Sequence, residues 1–148
     1  MEKDKTCKIV FSDIDGTLLT SDGQITEGTK EMILNLEKKG IPFILTSARS
    51  PEGVRVIKRM LGNHAPIIAF CGGLILDNDG HEIYSKRIPL KRALELKAML
   101  DKDFPAVACN TFGGEKWIVD DRDDWREQRE EKIVGFPAEI GSIKDTFE

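Results

Sequence analysis

The sequence predicts an α/β protein built on a parallel β-sheet. Runs of strand-forming apolar residues occur at 7–12, 41–45 and 66–70, and a polar turn follows each run. The second and third runs are almost continuously apolar, as expected of strands that are covered on both faces. The segments between the runs have apolar residues at helical spacing. The order β-α-β-α-β therefore predicts a Rossmann-like parallel sheet in a three-layer arrangement with helices.

The two intervening helices have clear start and stop signals. The first helix is predicted from Thr26 to Lys39, with Thr26 as its N-cap and Gly40 directly after it. Pro51 is expected to open the second helix and Gly62 to end it, because proline suits the first helical turn and glycine suits the residue after the last.

The pattern changes after residue 73. Short apolar segments flank Asp77-Asn78-Asp79-Gly80, and this combination predicts a β-hairpin because Asp, Asn and Gly favour tight turns. A soft boundary is expected near Lys86. It divides the chain into a first domain at 1–85 and a second at 86–148.

The second domain is predicted to contain helices and a hairpin, at 90–100, 106–119 and 121–133. Trp117 lies in the hairpin and is expected to be covered by the helices, because a large aromatic side chain there needs apolar partners. The last segment, from Gly135 to Glu148, shows no firm pattern.

Composition and charge exclude several classes of protein. The net charge of −4 argues against a nucleic-acid partner, which would favour a basic surface. No apolar run is long enough to cross a bilayer, so no membrane partner is expected. The charged residues 1–6 lead directly into a strand and are not expected to form a signal peptide.

The cysteines and histidines do not form an obvious metal site. The three cysteines lie far apart without a Cys-x-x-Cys pair, a pattern typical of reduced thiols in a cytoplasmic protein. His64 and His81 lack metal-ligand spacing and are expected in turns or on the surface.

Two aspartates follow the first apolar run, in Asp13-Ile14-Asp15-Gly16-Thr17. Alternate positions after a strand place both carboxylates on the same face. Such a pair suits phosphoryl transfer, since one carboxylate can attack phosphorus and the other can protonate the leaving oxygen and then activate water. Gly16 lets the backbone approach a phosphate, and Mg²⁺ would offset the repulsion between the negative groups.

The aspartate motif has two other interpretations. An acidic turn that simply ends a strand remains possible, because Asp and Gly are common there. A calcium loop of the EF-hand type is excluded by register, since its glycine is the sixth position and its first ligand would then be Phe11. The same test on Gly80 would require Ile75 as a ligand.

The loops that follow the three strands are expected to lie together. In parallel sheets ligands bind beyond the carboxyl ends of the strands. Polar residues follow all three runs, at Asp13, Ser47 and Gly72. The sequence therefore predicts one site to which these three loops contribute.

These segments resemble the haloacid dehalogenase (HAD) superfamily. Residues 11–19 look like its motif I, and residues 43–49 look like its motif II, a strand that ends in a small hydroxyl residue. Residues 71–75, followed by Asp79-Gly80, are similar to the segment that leads into the cap of the Cof-like phosphatases of subfamily IIB. The resemblance implies an incomplete HAD-like core at 1–85 and part of a class II α/β cap at 86–148.

The resemblance also implies a role for each matching residue. Asp13 would be the nucleophile and a Mg²⁺ ligand, and Asp15 would be the general acid/base and give its backbone carbonyl to the metal. Arg49 would reach phosphate or substrate, with a salt bridge at a helix start as the alternative. The residues implied in phosphate or substrate binding are Gly16, Thr17, Ser47, Arg49, Gly72 and Gly73.

The sequence departs from the family pattern at several places. Ala48 replaces the usual glycine of motif II, and Cys71 replaces the usual asparagine. Neither the lysine of motif III nor the Gly-Asp-Gly-x-Asn-Asp stretch of motif IV has a match, because Lys132 and Lys144 do not follow a strand at the family's place. The acidic cluster at 120–124 is expected to start a helix instead. We therefore expect a chain that stops before the second half of the site.

The expected function is Mg²⁺-dependent hydrolysis of small phosphorylated metabolites such as sugar phosphates, in an incomplete and poorly active form. A non-catalytic binding or assembly module and a phosphomannomutase-like phosphotransferase are the alternatives. In the family's sheet order the strand bearing Asp13 is central. Without the later strands, residues 7–12 would form an apolar edge, and a homodimer or other oligomer is expected to cover it.

Overall fold

The structure, a computed structural model, describes residues 7–147 and divides them into two compact units, one ending at Ser85 and the other beginning at Lys86. Residues 1–6, for which no signal peptide is expected, lie outside the described residues. The first unit contains β1 (Val10–Ser12), α1 (Glu27–Lys38), β2 (Phe43–Thr46), α2 (Pro51–Leu61), β3 (Ile67–Ala69), a 3₁₀ turn (Phe70–Gly72), β4 (Leu74–Leu76) and β5 (Glu82–Ser85). The second contains α3 (Leu90–Asp103), β6 (Thr111–Gly113), β7 (Lys116–Val119), α4 (Trp125–Val134), β8 (Glu139–Ile140) and α5 (Ile143–Thr146).

The first unit is a five-stranded sheet in the order β1-β2-β3-β4-β5. The first three strands are parallel, with Val10 opposite Phe43 and Leu45 opposite Ile67. The last two run antiparallel as a hairpin. This confirms the predicted parallel unit followed by a hairpin, and it brings the carboxyl ends of β1, β2 and β3 to one edge of the sheet.

Both helices of the first unit begin and end at the predicted signals. The side chain of Thr26 accepts a hydrogen bond from the Thr29 N–H at the start of α1. Ser50 does the same for the Gly53 N–H at the start of α2, where Pro51 is the first helical residue. Gly62 ends α2 in the left-handed conformation that favours glycine.

Branched apolar side chains fill the space between the sheet and its helices. The most completely buried of them are Ile14, Leu45, Val54 and Leu61. Burying each of these stabilises the fold by roughly 1.5–3 kcal/mol. One buried polar residue is also satisfied: Asn63 donates to the Phe43 carbonyl at 2.8 Å and accepts from the Ala65 N–H at 2.6 Å. These bonds tie the end of α2 to the start of β2.

The second unit contains a three-stranded sheet in the order β6-β7-β8. Strands β6 and β7 form the predicted antiparallel hairpin, with Phe112 opposite Trp117. The first strand of the hairpin is expected at 106–111, however, whereas β6 comprises Thr111–Gly113, so only Thr111 belongs to both. β8 pairs in parallel with β7, and α5 follows it, in the segment where no pattern was found. A two-residue strand and a one-turn helix are too short to show periodicity.

The longer helices of the second unit match the prediction in type and differ in their bounds. α3 continues to Asp103, beyond the predicted end. α4 begins at Trp125, and Asp124 caps it by accepting from the Arg126 N–H at 2.8 Å. The acidic cluster therefore starts a helix, as expected. No helix formed by residues 7–147 is long and apolar enough to cross a membrane.

Trp117 is the centre of the core of the second unit and is only 3% exposed. Its ring stacks on Phe112 with centroids 5.3 Å apart and forms a T-shaped pair with Phe136 with centroids 5.2 Å apart. Val119, Val134 and Ala138 complete the cluster. The predicted burial is confirmed, but much of the cover comes from the segment after α4 rather than from helices alone.

Candidate functional site

The first segment of the site is the loop after β1. Ile14 is fully buried, and its carbonyl accepts hydrogen bonds from the backbone N–H groups of residues 17–19. This anchor leaves the flanking side chains of Asp13 and Asp15 exposed, as the alternation of a strand predicts. Gly16 has φ +73° and no heavy atom within 4 Å of the position of a Cβ, so conformation and not crowding requires glycine there.

Thr17 lies at the open side of the same turn. Its N–H makes a long 3.4 Å contact with the Ile14 carbonyl, and its side chain is exposed. A weakly held N–H beside a glycine in the left-handed conformation is a common arrangement for binding an anion. The loop after β1 thus presents two carboxylates and a backbone suited to phosphate on adjacent positions.

The second segment follows β2 and is built around Ser47, which is buried. Its N–H donates to the Ile68 carbonyl at 3.0 Å, and its carbonyl accepts from the Cys71 N–H at 2.9 Å. The Ser47 hydroxyl oxygen accepts from the Arg49 N–H at 3.2 Å. Backbone contacts to β3 and to the turn after it therefore fix this residue, and its hydroxyl proton remains available for another acceptor.

Arg49 joins the loops after β1 and β2. Its Nε donates to Asp15 Oδ2 at 2.9 Å and its Nη2 donates to Asp15 Oδ1 at 2.7 Å, which is a bidentate pair. The Arg49 side chain is 12% exposed, whereas that of Asp15 is 59% exposed. The hydrogen bonds from Arg49 hold the pKa of the Asp15 carboxyl below its ordinary value. Two residues that were predicted separately are thus in direct contact.

Gly53, in the first turn of α2, supports Arg49 and was not identified from the sequence. A Cβ at this position would lie 3.2 Å from Arg49 Cβ and 3.7 Å from Arg49 Cδ. The missing side chain leaves space for the stem of the arginine. The available signal was a glycine inside a helical pattern, where it costs stability unless packing requires it.

The third segment is the turn after β3, which leads through Gly72 and Gly73 into β4. Phe70 and Cys71 have φ of +50° and +54°, and Gly72 has φ +89°. Residues other than glycine and asparagine rarely adopt this region. The Phe70 N–H donates to the Arg49 carbonyl at 3.0 Å, so this turn is tied to the loop after β2. The three predicted loops therefore lie at one edge of the sheet.

The oxygen atoms near Asp13 suit a hard cation. The Asp13 carboxylate and the Asp15 backbone carbonyl are the kinds of ligand that Mg²⁺ prefers. Within residues 7–147 neither of them accepts a hydrogen bond. The Asp15 carboxylate, in contrast, is occupied by Arg49. The donor set fits Mg²⁺, although two protein ligands leave most of an octahedral shell to water.

A different acidic cluster lies at the end of the sheet opposite to the carboxyl ends of β1, β2 and β3. Asp77, Asp79 and His81, in the turn between β4 and β5, have ligand atoms within 4.8 Å of one another. β4 runs antiparallel to β3, so this turn is far from the strand ends that bear Asp13. The Asp77 carboxylate already accepts from the N–H groups of Asp79 and His81 and contacts His81 Nδ1. The cluster is a hydrogen-bonded turn, and sequence spacing did not reveal it.

The fold and the carboxylates of Asp13 and Asp15 define the class of protein. It is an α/β protein with paired aspartates after the first strand and a hydroxyl residue after the second. Residues 10–146 match the model of the haloacid dehalogenase-like hydrolase family, and the chain belongs to that family. This match confirms the family resemblance noted in motifs I and II, and it covers nearly the whole chain.

Relatives of known sequence include several proteins named as phosphatases. One from Haemophilus influenzae, named "Putative phosphatase", is 36% identical over 124 residues, which is 78% of this chain and 47% of that protein. The phosphoglycolate phosphatase of Thermoplasma volcanium is 38% identical over 73 residues, 49% of this chain and 33% of that protein. The chain spans about half the length, or less, of the relatives it matches.

Solved structures share the fold at low sequence identity. A haloacid dehalogenase-like hydrolase from Bacteroides thetaiotaomicron gives a TM-score of 0.85 at 19% identity, covering 97% of this chain and 55% of that chain. A HAD subclass IIB sugar phosphatase gives a TM-score of 0.71 at 20% identity, covering 93% and 54%. The predicted α/β fold class is confirmed by these similarities.

Proposed function

We propose that this chain is part of a Mg²⁺-dependent phosphohydrolase that acts on small phosphorylated metabolites, sugar phosphates among them, through an aspartyl-phosphate on Asp13. The main support is the cluster of exposed Asp13 and Asp15 with buried Ser47 and the Arg49 guanidinium at one sheet edge. Membership in a hydrolase family and the names of its relatives support phosphate-ester chemistry.

The two aspartates divide the reaction between them. In the first step an Asp13 carboxylate oxygen bonds to phosphorus as the bond to the leaving oxygen breaks, and Asp15 gives that oxygen a proton. In the second step Asp15 takes a proton from water, the water oxygen bonds to phosphorus, and the bond from Asp13 to phosphorus breaks. Inorganic phosphate and the original carboxylate result.

The remaining residues hold the phosphate and the metal. The Gly16 and Thr17 backbone and the Ser47 hydroxyl would donate hydrogen bonds to the phosphoryl oxygens, and Gly72 and Gly73 would shape the substrate rim. Mg²⁺ held by the Asp13 carboxylate and the Asp15 carbonyl would neutralise charge on the phosphate and the nucleophile. Residues 1–85 would belong to the catalytic core and residues 86–148 to a cap that selects the substrate.

Turnover by this chain alone is expected to be slow. The lysine that the resemblance expects in motif III has no match in the sequence. Loss of one preorganised charge stabiliser typically lowers the rate by about 10²–10³. Binding of Mg²⁺ should also be weak, because the acids of motif IV have no match. The alternatives, a non-catalytic remnant and a phosphotransferase, have no observation that favours them over hydrolysis.

The proposal is tested by trapping the covalent intermediate. The chain is mixed with p-nitrophenyl phosphate and Mg²⁺, quenched in acid and examined by intact mass spectrometry. Asp15→Asn should accumulate one phosphoryl group, because p-nitrophenolate leaves without a proton while the hydrolysis step lacks its base. Asp13→Asn should show none. Asp22→Asn, an exposed aspartate in a neighbouring turn, is the matched control and should behave as the wild type.

Absence of the phosphoryl group in Asp15→Asn, or its presence in Asp13→Asn, would contradict the proposed mechanism. A panel of sugar phosphates and phosphoglycolate then compares the substrate classes named among the relatives.

We further propose that a second copy of the chain covers the β1 edge and that the protein is cytoplasmic. β1 is an edge strand of the described sheet, and Ile9 and Phe11 are largely exposed on it or beside it. Exposed apolar edge strands favour pairing with another chain. The free thiols of Cys7, Cys71 and Cys109 suit a reducing compartment.

A further inference from the structure

The side chains of Arg49 and Asp15 differ in how firmly their surroundings hold them. The Arg49 backbone is bonded on both sides, through its N–H to Ser47 Oγ and through its carbonyl to the Phe70 N–H. Its stem lies against Gly53, and its side chain is mostly covered. Asp15 lies on an exposed turn with most of its side chain in solvent. The guanidinium is therefore the fixed member of the pair, and the carboxylate is the member that can leave.

The guanidinium is bonded to Asp15 with the geometry that it would use for a phosphate. Two parallel N–H donors, Nε and Nη2, meet the two carboxylate oxygens at 2.9 and 2.7 Å. The same fork of donors binds two oxygens of a phosphate equally well, and a phosphate carries more negative charge than a carboxylate. Arg49 cannot direct both donors to both partners at once.

We propose that Asp15 and the phosphate of the substrate compete for the Arg49 guanidinium, so that substrate binding exchanges the carboxylate for phosphate and releases Asp15. This inference rests on the proposed function, since it assumes that the site accepts phosphate. Arg49 is then a phosphate-binding residue whose guanidinium is occupied by Asp15 until phosphate binds. Asp15 limits phosphate affinity until it is displaced.

The exchange predicts that removing the competing carboxylate improves binding. If the guanidinium is separated from Asp15 in roughly one molecule in ten, Asp15→Asn should tighten the dissociation constant for inorganic phosphate by about tenfold. Removing a negative charge would also tighten binding by reducing repulsion. The two causes are separated by testing whether the gain depends on Arg49.

The experiment measures binding of inorganic phosphate to the full chain by NMR titration, in the wild type, Asp15→Asn, Arg49→Gln and the double variant. We expect Arg49→Gln to weaken binding and the gain from Asp15→Asn to disappear in the Arg49→Gln background. Asp13→Asn is the charge control, because Asp13 does not contact Arg49, and its effect should persist in that background. Arg59→Gln, which removes an exposed pair with Glu52 on α2, should change nothing.

An Asp15→Asn gain of equal size with and without Arg49 would overturn the exchange, as would unchanged affinity in Arg49→Gln or no phosphate binding in any variant. Thermal unfolding of each variant establishes that it is folded. The test is distinguishable from that of the proposed function. Phosphate binding that follows the exchange pattern without any phosphorylation of Asp13 would retain the exchange and reject the hydrolase mechanism.

Discussion

Two residues at the site edge, Phe70 and Cys71, adopt a backbone conformation that is costly for their type. Both have positive φ although neither is glycine or asparagine. For an ordinary L-residue the left-handed region costs roughly 1–2 kcal/mol, whereas asparagine tolerates it because its side chain can hydrogen-bond locally. Position 71 is the one where the resemblance expects asparagine. The backbone at position 71 therefore has a conformation that asparagine tolerates better than cysteine does.

We expect Cys71→Asn to raise the free energy of unfolding by about 0.5–1 kcal/mol, because asparagine reduces the cost of the positive φ. Urea unfolding followed by circular dichroism measures the change. Cys71→Ala is the matched control: it removes the same thiol and has no preference for this conformation, so it should give no gain. Equal stabilisation by both variants would show that the thiol and not the backbone is responsible.

At the scale of elements, α4 is a polar helix that buries one carboxyl group. Glu127 is only 2% exposed, its Oε1 accepts from Asn110 Nδ2 at 3.2 Å, and its Oε2 has no partner among the described residues. Asn110 in turn accepts from the Trp117 indole N–H at 2.6 Å. Burial raises the pKa of Glu127, and the neighbouring Asp124 adds to this while the Asn110 hydrogen bond opposes it.

We expect Glu127→Gln to raise the free energy of unfolding by about 1 kcal/mol at neutral pH, because it keeps an acceptor for Asn110 and removes a poorly compensated buried charge. Because the pKa of Glu127 is raised on folding, the folded state binds the proton of this carboxyl group more tightly than the unfolded state does. The contribution of Glu127 to stability is therefore fully present below the ordinary glutamate value of 4.5 and is lost as pH rises through the folded pKa.

Urea titrations across that pH range measure this dependence, which should be smaller in Glu127→Gln. Glu130→Gln, on the same helix, is the control and should retain it. If the free energy of unfolding of Glu127→Gln changed with pH as it does in the wild type, Glu127 would be charged at no cost in the folded protein.

At the scale of the whole molecule, the sheet that the described residues form in the first unit has two edge strands, β1 and β5. Large apolar side chains are exposed at both, with Phe11 56% and Ile83 61% exposed. The family resemblance places further strands beyond β1, so this is the edge whose cover the proposed dimer supplies. Exposed apolar side chains are present at both edge strands, and only the family resemblance distinguishes β1 from β5.

We expect Phe11→Lys to convert the dimer into a monomer in light-scattering measurements, because a charged residue on an edge strand opposes pairing with another chain. Ile83→Lys makes the same substitution at the opposite edge and should leave the mass unchanged. A wild-type chain that is already monomeric, or dissociation by Ile83→Lys alone, would contradict the proposed interface.

The sequence by itself determined the order of strands and helices in the first unit, and it identified the aspartates, Ser47 and Gly72 as loop residues at one sheet edge. These features follow from local periodicity, capping residues and the rule that parallel strands share a carboxyl edge. The exposure of Asp13 and Asp15 on either side of buried Ile14 could also be predicted from the sequence, because neighbouring side chains on a strand point to opposite faces.

Only the tertiary structure decided which of these residues touch. The bidentate contact between Arg49 and Asp15 joins residues 34 positions apart, and no periodicity encodes its geometry. The same holds for Gly53 against the Arg49 stem and for buried Glu127. β8 and α5 depend on pairing and packing with β7 and α3, since elements of two and four residues have no stability of their own. Local signals specify elements, whereas contacts distant in sequence arise only when those elements pack.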